Sequence, residues 1–178
     1  ECCDRHANGD AVALIQENAD GSSSRHSYAE LRDQSAQFAH YLTQQGVQAG
    51  DVVAGLLPRG HALLVTILGT WRIGAIYQPL FTAFGPKAIE HRLQNSAAKL
   101  VVSSKLSDVE HCPAVMTVTD TQGVGLVGGD CDFWPALASL STDFEPVMRS
   151  GDDPFLLMFT SGTTGLAKPL DVPLRAIV

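Results

Sequence analysis

Cysteine is scarce in this chain, and its spacing is unhelpful for bridging or metal capture. The four cysteines are Cys2, Cys3, Cys112 and Cys131, and no two are spaced C-x-x-C. A disulfide framework and a finger-like metal site are both excluded as organising principles, and free thiols in a reducing cytoplasm are expected. Cys2, Cys3 and His6 lie close together but lack a second cluster, so no metal site is assigned. Long apolar runs are missing as well. The longest, Ala62 to Thr70, is interrupted by Thr66 and Gly69 and falls short of a membrane span. Glu1 to Asp10 is polar and carries no signal-peptide pattern. Basic charge is in deficit: 12 lysines and arginines face 19 acidic residues, for a formal net charge of -7. That balance argues against a general nucleic-acid binder, and a site for an anion has to be built locally from backbone amides and a few cations. An initiator methionine is also lacking, and the chain stops within the apolar Ile177-Val178. Both ends are therefore expected to be cuts.

What is present reads as a globular α/β chain. Apolar residues make up 45% and charged residues 17% of 178 positions, enough for one domain with a core. Val12 to Gln16 reads as a strand, and Gly21-Ser22-Ser23-Ser24 as a flexible turn. Ser27 with Glu30 three residues on forms a capping box. Behind it Tyr28, Leu31, Ser35, Phe38 and Leu42 recur at helical spacing until Gly46. The apolar run Val52 to Leu57 suits a buried strand, and His61 to Arg72 a helix with Leu64, Ile67, Leu68 and Trp71 on one face. Ala75 to Gln78 is a strand, Pro86 opens a helix, and Lys99 to Ser103 and Ala114 to Val118 are strands. Asp132 to Leu140 is a short helix, and Phe155 to Phe159 a last apolar strand. Alternation of this kind predicts βαβ units and a mainly parallel sheet flanked by helices, with ligands beyond the carboxyl ends of the strands. Thr119 to Pro154, rich in Gly, Asp and Ser, is either a long excursion or a poorly ordered region.

Several isolated features have a plain structural reading. Gly123 to Gly128 fits G-x-G-x-x-G, but no helix opens after it, so a turn is expected rather than a dinucleotide site. His61, His91 and His111 have no partner at ligand spacing and read as structural or surface residues. Trp71 is assigned to core packing. Asp152 and Asp153 read as a solvated turn.

One segment concentrates chemistry. The strand Phe155 to Phe159 runs into Thr160-Ser161-Gly162-Thr163-Thr164-Gly165-Leu166-Ala167-Lys168. Small residues let the backbone turn tightly and aim several amides at one point. The hydroxyls add short donors, and Lys168 supplies positive charge. The combination suits a polyphosphate cradle. It is not a Walker A loop, because Leu166 and Ala167 separate Gly165 from Lys168 and Pro169 follows.

Thr160 to Lys168 resembles the signature loop of the adenylate-forming, AMP-binding superfamily. That superfamily contains acyl-CoA synthetases, peptide-synthetase adenylation domains and luciferases. Upstream, Ser27-Tyr28-Ala29-Glu30-Leu31 resembles the family's first helix. Gly50-Asp51-Val52-Val53-Ala54 resembles the start of the strand after it, and Leu68 to Leu80 its second core motif. Cys3-Asp4-Arg5-His6, and Phe81 to Pro86 with Ala88-Ile89-Glu90-His91-Arg92-Leu93, are similar to the acetyl- and propionyl-CoA synthetase-like branch. The resemblance implies that residues 1–178 are part of the large N-terminal domain of an AMP-dependent acyl-CoA synthetase. The remainder of that domain and the mobile C-terminal domain are not in this sequence.

The resemblance also implies a reaction. A short- or medium-chain carboxylate is joined to the α-phosphate of Mg²⁺-bound ATP, and the acyl-adenylate is then passed to the thiol of CoA. Thr160, Ser161, Gly162, Thr163, Thr164 and Gly165 would hold phosphates, and Lys168 would stabilise the leaving pyrophosphate as the catalytic residue. The adenine pocket, the ribose-binding acid, the hinge and the catalytic lysine of the C-terminal domain lie downstream in relatives. The 178 residues alone are therefore expected to be inactive. An adenylation domain loading a carrier protein and a non-catalytic nucleotide-binding remnant are the alternatives. One departure stands out: the family usually has Pro-Lys-Gly where this chain has Ala167-Lys168-Pro169. Proline forbids backbone angles open to glycine and lacks the amide donor, so phosphate contacts are expected from the preceding amides.

Overall fold

The computed structural model describes residues 3–18, 20–104, 109, 114–117, 131–160 and 166–177, of which 114–117 by backbone only. A short 3-10 turn at Asp4–His6 precedes strand β1 (Val12–Glu17), which pairs antiparallel with β2 (Ser23–Ser27). The stretch read as the flexible turn Gly21 to Ser24 is thus shorter than expected. Ser23 and Ser24 belong to β2, opposite Glu17 and Gln16. Polar and free of apolar alternation, β2 owes its strand to the β1 partner and not to its own side chains.

Helix α1 (Tyr28–Gln44) starts at the expected capping box. The Ser27 side chain accepts from the Glu30 amide at 3.1 Å, and the Glu30 carboxylate accepts from the Ser27 amide at 2.7 Å. It ends before Gly46, whose φ of 77° is readily adopted only by glycine. Then come β3 (Val52–Leu56), α2 (His61–Arg72), β4 (Ile76–Pro79), α3 (Pro86–Ser96, with proline in its first turn) and β5 (Leu100–Ser103). Next are β6 (Ala114–Thr117), the two-residue β7 (Cys131–Asp132), α4 (Phe133–Ala138), β8 (Pro154–Thr160) and β9 (Lys168–Pro173).

The described strands of the main sheet run in the order β7-β6-β5-β3-β4-β8-β9. Every neighbouring pair is parallel except β8 with β9. The expected α/β architecture, a mainly parallel sheet flanked by helices, is the one observed. Strands β7 and β9 were not expected.

The central strands serve two cores, one on each face. Val53, Leu100 and Val102 point toward α1, α2 and α4, where they meet Phe38, Leu42, Val65, Phe133 and Leu137. Ala54, Leu56 and Val101 point the other way, toward Ile89, Leu93 and Leu157. Strands that are almost wholly apolar and buried along their whole length, as β3 and β5 are, mark a parallel sheet covered by helices on both faces. Helices α1 and α2 approach closely at Gly69, where an added Cβ would lie 2.6 Å from the Phe38 ring and 2.8 Å from the Ser35 carbonyl oxygen.

Between α4 and β8 the chain has no regular structure. This part of the Thr119 to Pro154 segment is the long excursion. Gln37 donates to the Leu140 carbonyl at 3.1 Å, His40 donates to the Asp143 carbonyl at 2.7 Å, and the Val147 amide donates to the Arg72 carbonyl at 2.8 Å. The chain is thereby laid along α1 and returned to the end of α2. The G-x-G-x-x-G stretch Gly123 to Gly128 and His111 lie outside the described residues.

Candidate functional site

Strand β8 carries the chemistry-bearing segment to the carboxyl edge of the parallel sheet. It lies parallel to β4, with Leu156 opposite Tyr77. The Trp71 indole donates to the Phe155 carbonyl at 2.9 Å, with the two rings 5.3 Å apart. Trp71 therefore anchors the start of β8 from α2, in keeping with its expected packing role.

Beyond Thr160 the chain reverses. Thr160 lies opposite Lys168, Phe159 opposite Pro169, and Met158 opposite Leu170. Among the expected site residues, the two described ones, Thr160 and Lys168, thus face each other at the mouth of the reversal, and both are exposed. Ser161, Gly162, Thr163, Thr164 and Gly165 lie outside the described residues. Pro169 is accommodated because β9 is the last strand of the sheet among the described residues, and edge strands tolerate a missing amide donor.

Helix α3, in which the sequence offers no candidate site residue, flanks this reversal. His91 donates from Nε2 to the Ala167 carbonyl at 2.9 Å. Next to it, the Arg92 guanidinium lies 4.0 Å from the Phe84 ring centroid and 5.5 Å from that of Phe159. The helix itself is fixed to the sheet through fully buried Gln78 of β4. Its side chain accepts from Ser96 Oγ at 2.6 Å and donates to the Arg92 carbonyl at 3.3 Å. By sequence His91 is a lone structural or surface histidine; the tether gives it a definite place beside the site. A partner 76 positions away leaves no local signal.

Other expected features resolve as structure. His61 stacks on His26 at 3.7 Å and lies 5.2 Å from Trp134. Burial, with His26 beside it, pushes its imidazole down to about 4, so it is neutral near pH 7. Cys3 is buried and donates from Sγ to the Tyr28 carbonyl at 3.1 Å. Burial pushes its thiol upward, away from the thiolate a metal would require. Asp153 accepts from the Ser150 amide at 2.8 Å, and Asp152 pairs with Arg175, so both serve the turn before β8. Among the described residues no group of three or more His, Cys, Asp or Glu side chains is placed to hold a metal ion, and no helix is long and apolar enough to cross a membrane.

A parallel sheet with a glycine- and hydroxyl-rich reversal at its carboxyl edge belongs to the open α/β class, whose ligands sit beyond that edge. The chain belongs to the AMP-binding enzyme family, whose model matches residues 3–178. Acetyl-coenzyme A synthetase of Pseudoalteromonas translucida (strain TAC 125) is 35% identical over 94% of this chain and 30% of its own length. The Escherichia coli (strain K12) acetyl-coenzyme A synthetase is 32% identical over 94% of this chain and 29% of its own length. Among solved structures, an acyl-CoA synthetase of Brucella canis superposes with a TM-score of 0.89 at 53% identity, over 99% of this chain and 33% of that one. ATP-bound MatB of Rhodopseudomonas palustris superposes with a TM-score of 0.73 at 28% identity, over 94% of this chain and 33% of that one. The chain thus spans about three tenths of the length of the curated relatives it matches.

Proposed function

We propose that the complete protein carrying this chain is an AMP-forming acyl-CoA synthetase for a short- or medium-chain carboxylic acid. Residues 1–178 would be part of its large N-terminal domain. The observation that carries this reading is the pairing of Thr160 with Lys168 at the carboxyl edge of the parallel sheet, at the two roots of the glycine- and hydroxyl-rich segment. The kinship to acetyl-coenzyme A synthetases and to an ATP-bound relative supports ATP as the first substrate.

On this reading Thr160, Ser161, Gly162, Thr163, Thr164 and Gly165 bind the phosphates of ATP through hydroxyls and amides. Lys168 offsets charge on the departing pyrophosphate, so catalysis by this segment is positioning and electrostatic stabilisation. The donor set fits an anion: an exposed hydroxyl and an exposed ammonium lie across one register pair. The Mg²⁺ ion would arrive on the nucleotide, with phosphate oxygens among its ligands. CoA is the proposed thiol acceptor, and free Cys3 and Cys131 accord with a reducing cytoplasm. The isolated 178 residues are proposed to be inactive, and acyl-CoA formation by that fragment would overturn this point.

The test is ATP–pyrophosphate exchange by the complete protein with Mg²⁺ and a panel of acetate, propionate, hexanoate, benzoate and amino acids. Lys168→Ala serves as the control. Exchange that depends on one acid and falls about 10²-fold or more in the control supports the reading. Added CoA then separates a ligase from a carrier-loading domain. Exchange with none of the acids rejects the acid-activating function and favours a non-catalytic nucleotide-binding protein.

A further inference from the structure

We propose that His91 is a positioning residue for the nucleotide-binding segment: its Nε2–H holds the Ala167 carbonyl and so fixes where Lys168 enters the site. This rests on the reading of Thr160 to Lys168 as the polyphosphate cradle.

The hydrogen-bond pattern assigns the imidazole proton. Asn95 donates from Nδ2 both to the His91 carbonyl, at 2.7 Å, and to His91 Nδ1, at 3.1 Å. Nδ1 is therefore an acceptor. The ring proton sits on Nε2, where it is donated to the Ala167 oxygen at 2.9 Å. That oxygen is the last carbonyl before Lys168. The β8–β9 pairing ends at Thr160 and Lys168, so a side chain of α3 holds the chain one residue beyond the ladder.

The same helix holds the other root of the segment. The Phe159 ring, one residue before Thr160, lies edge-on to His91 with centroids 6.3 Å apart and sits under the Arg92 guanidinium. Arg92 is in turn held by the Phe84 face and by its Nη1 bond to the Ala88 carbonyl at 2.9 Å. Buried Ile89 and Leu93, with the Gln78–Ser96 bond, dock α3 on the sheet. Both roots are thus gripped from one packed helix. Such support keeps a cation within the narrow tolerance that charge stabilisation requires.

The experiment compares the complete protein with His91→Ala and His91→Gln, the latter retaining an N–H donor at about the position of Nε2. The KM for MgATP and the KM for the acid are measured by pyrophosphate exchange, alongside the melting midpoint. The expected result for His91→Ala is a KM for MgATP raised about five- to tenfold, the scale of one lost hydrogen bond. The KM for the acid should move less than about twofold, the midpoint should hold, and His91→Gln should recover most of the loss. An unchanged KM for MgATP in His91→Ala, or an equal rise of both KM values in both variants, overturns the proposal. If the wild-type protein exchanges with no acid, the acyl-activating function fails separately, and His91 is judged by calorimetric binding of MgATP to the same three proteins. Weaker binding in His91→Ala that His91→Gln restores sustains the positioning role. Equal affinities, or no binding by the wild type, overturn it.

Discussion

Asp4 and Arg72, sixty-eight residues apart, meet end-on through both carboxylate oxygens and both terminal guanidinium nitrogens, with Nη1 donating to Oδ2 at 3.0 Å. The remaining Nε–H of Arg72 donates to Ser35 Oγ at 2.8 Å. One guanidinium thus joins the N-terminal turn, α1 and the last turn of α2. Arg72 is only 8% exposed, so the cost of burying its charge is offset by this pairing. Asp4→Asn is expected to lower stability by about 1–3 kcal/mol, since it leaves a nearly buried cation without its counter-charge. Urea unfolding of wild type and variant measures the difference, and a loss below about 0.5 kcal/mol would show the pair to be solvent-screened.

The crossing of α1 and α2 sets a second expectation. Gly69→Ala improves intrinsic helix propensity by about 1 kcal/mol. The new methyl, however, meets the Ser35 carbonyl oxygen at 2.8 Å, and backbone does not yield as a side-chain tip does. Overpacking costs of about 1–3 kcal/mol should win, and the midpoint of urea unfolding should fall. A midpoint that rises would mean that the helices separate freely.

His61 makes stability depend on pH. The unfolded imidazole takes up its proton near 6.5 and the folded one only near 4, chiefly because it is buried and secondarily because His26 lies against it. Between those values the unfolded state binds more protons. The stabilising contribution is complete above about 6.5 and is lost as the pH falls toward 4. Because His61 is only half-buried, the loss should be about 1–2 kcal/mol. His61→Phe, which keeps the ring beside His26 and Trp134, should flatten the slope of stability against pH between 7 and 5. An unchanged slope would assign the pH dependence to other groups.

Pro169 lies in β9 with its backbone already extended, and there a proline restricts the unfolded chain more than the folded one. Pro169→Gly is expected to destabilise the protein by about 1 kcal/mol, read by urea unfolding. It should change the KM for MgATP less than about threefold, because the phosphate contacts are assigned to amides before it. A large fall in that KM would show that proline impairs the closing of the cradle.

Much of the fold was legible because its signals are local. Ser27 and Glu30 three apart, a glycine past the last apolar turn, and Pro86 at a helix start each act within one turn of chain. The helices they bound lie where the spacing predicts. The buried strands were legible as short apolar runs. Strands β2 and β9 were not, because Ser-Ser-Arg-His-Ser has no apolar face and Lys-Pro-Leu-Asp-Val-Pro carries two prolines. Both exist because a partner strand offers them a ladder. At the site, Thr160 and Lys168 could be named from the motif, whereas His91 and Arg92 could not, since the groups they hold lie on another element.

The sequence by itself determined the alternation of helix and strand, the parallel sheet that follows from it, and the chemistry of Thr160 to Lys168. These depend on residue type and short-range spacing, which the chain carries wherever it is placed. Only the tertiary structure decided that Thr160 faces Lys168, that His91 holds Ala167, and that Arg72 finds Asp4. Each of these is a contact between groups far apart in the chain, made when packed elements bring them within hydrogen-bond range. No rule of local spacing encodes a distance that exists only after the core has closed.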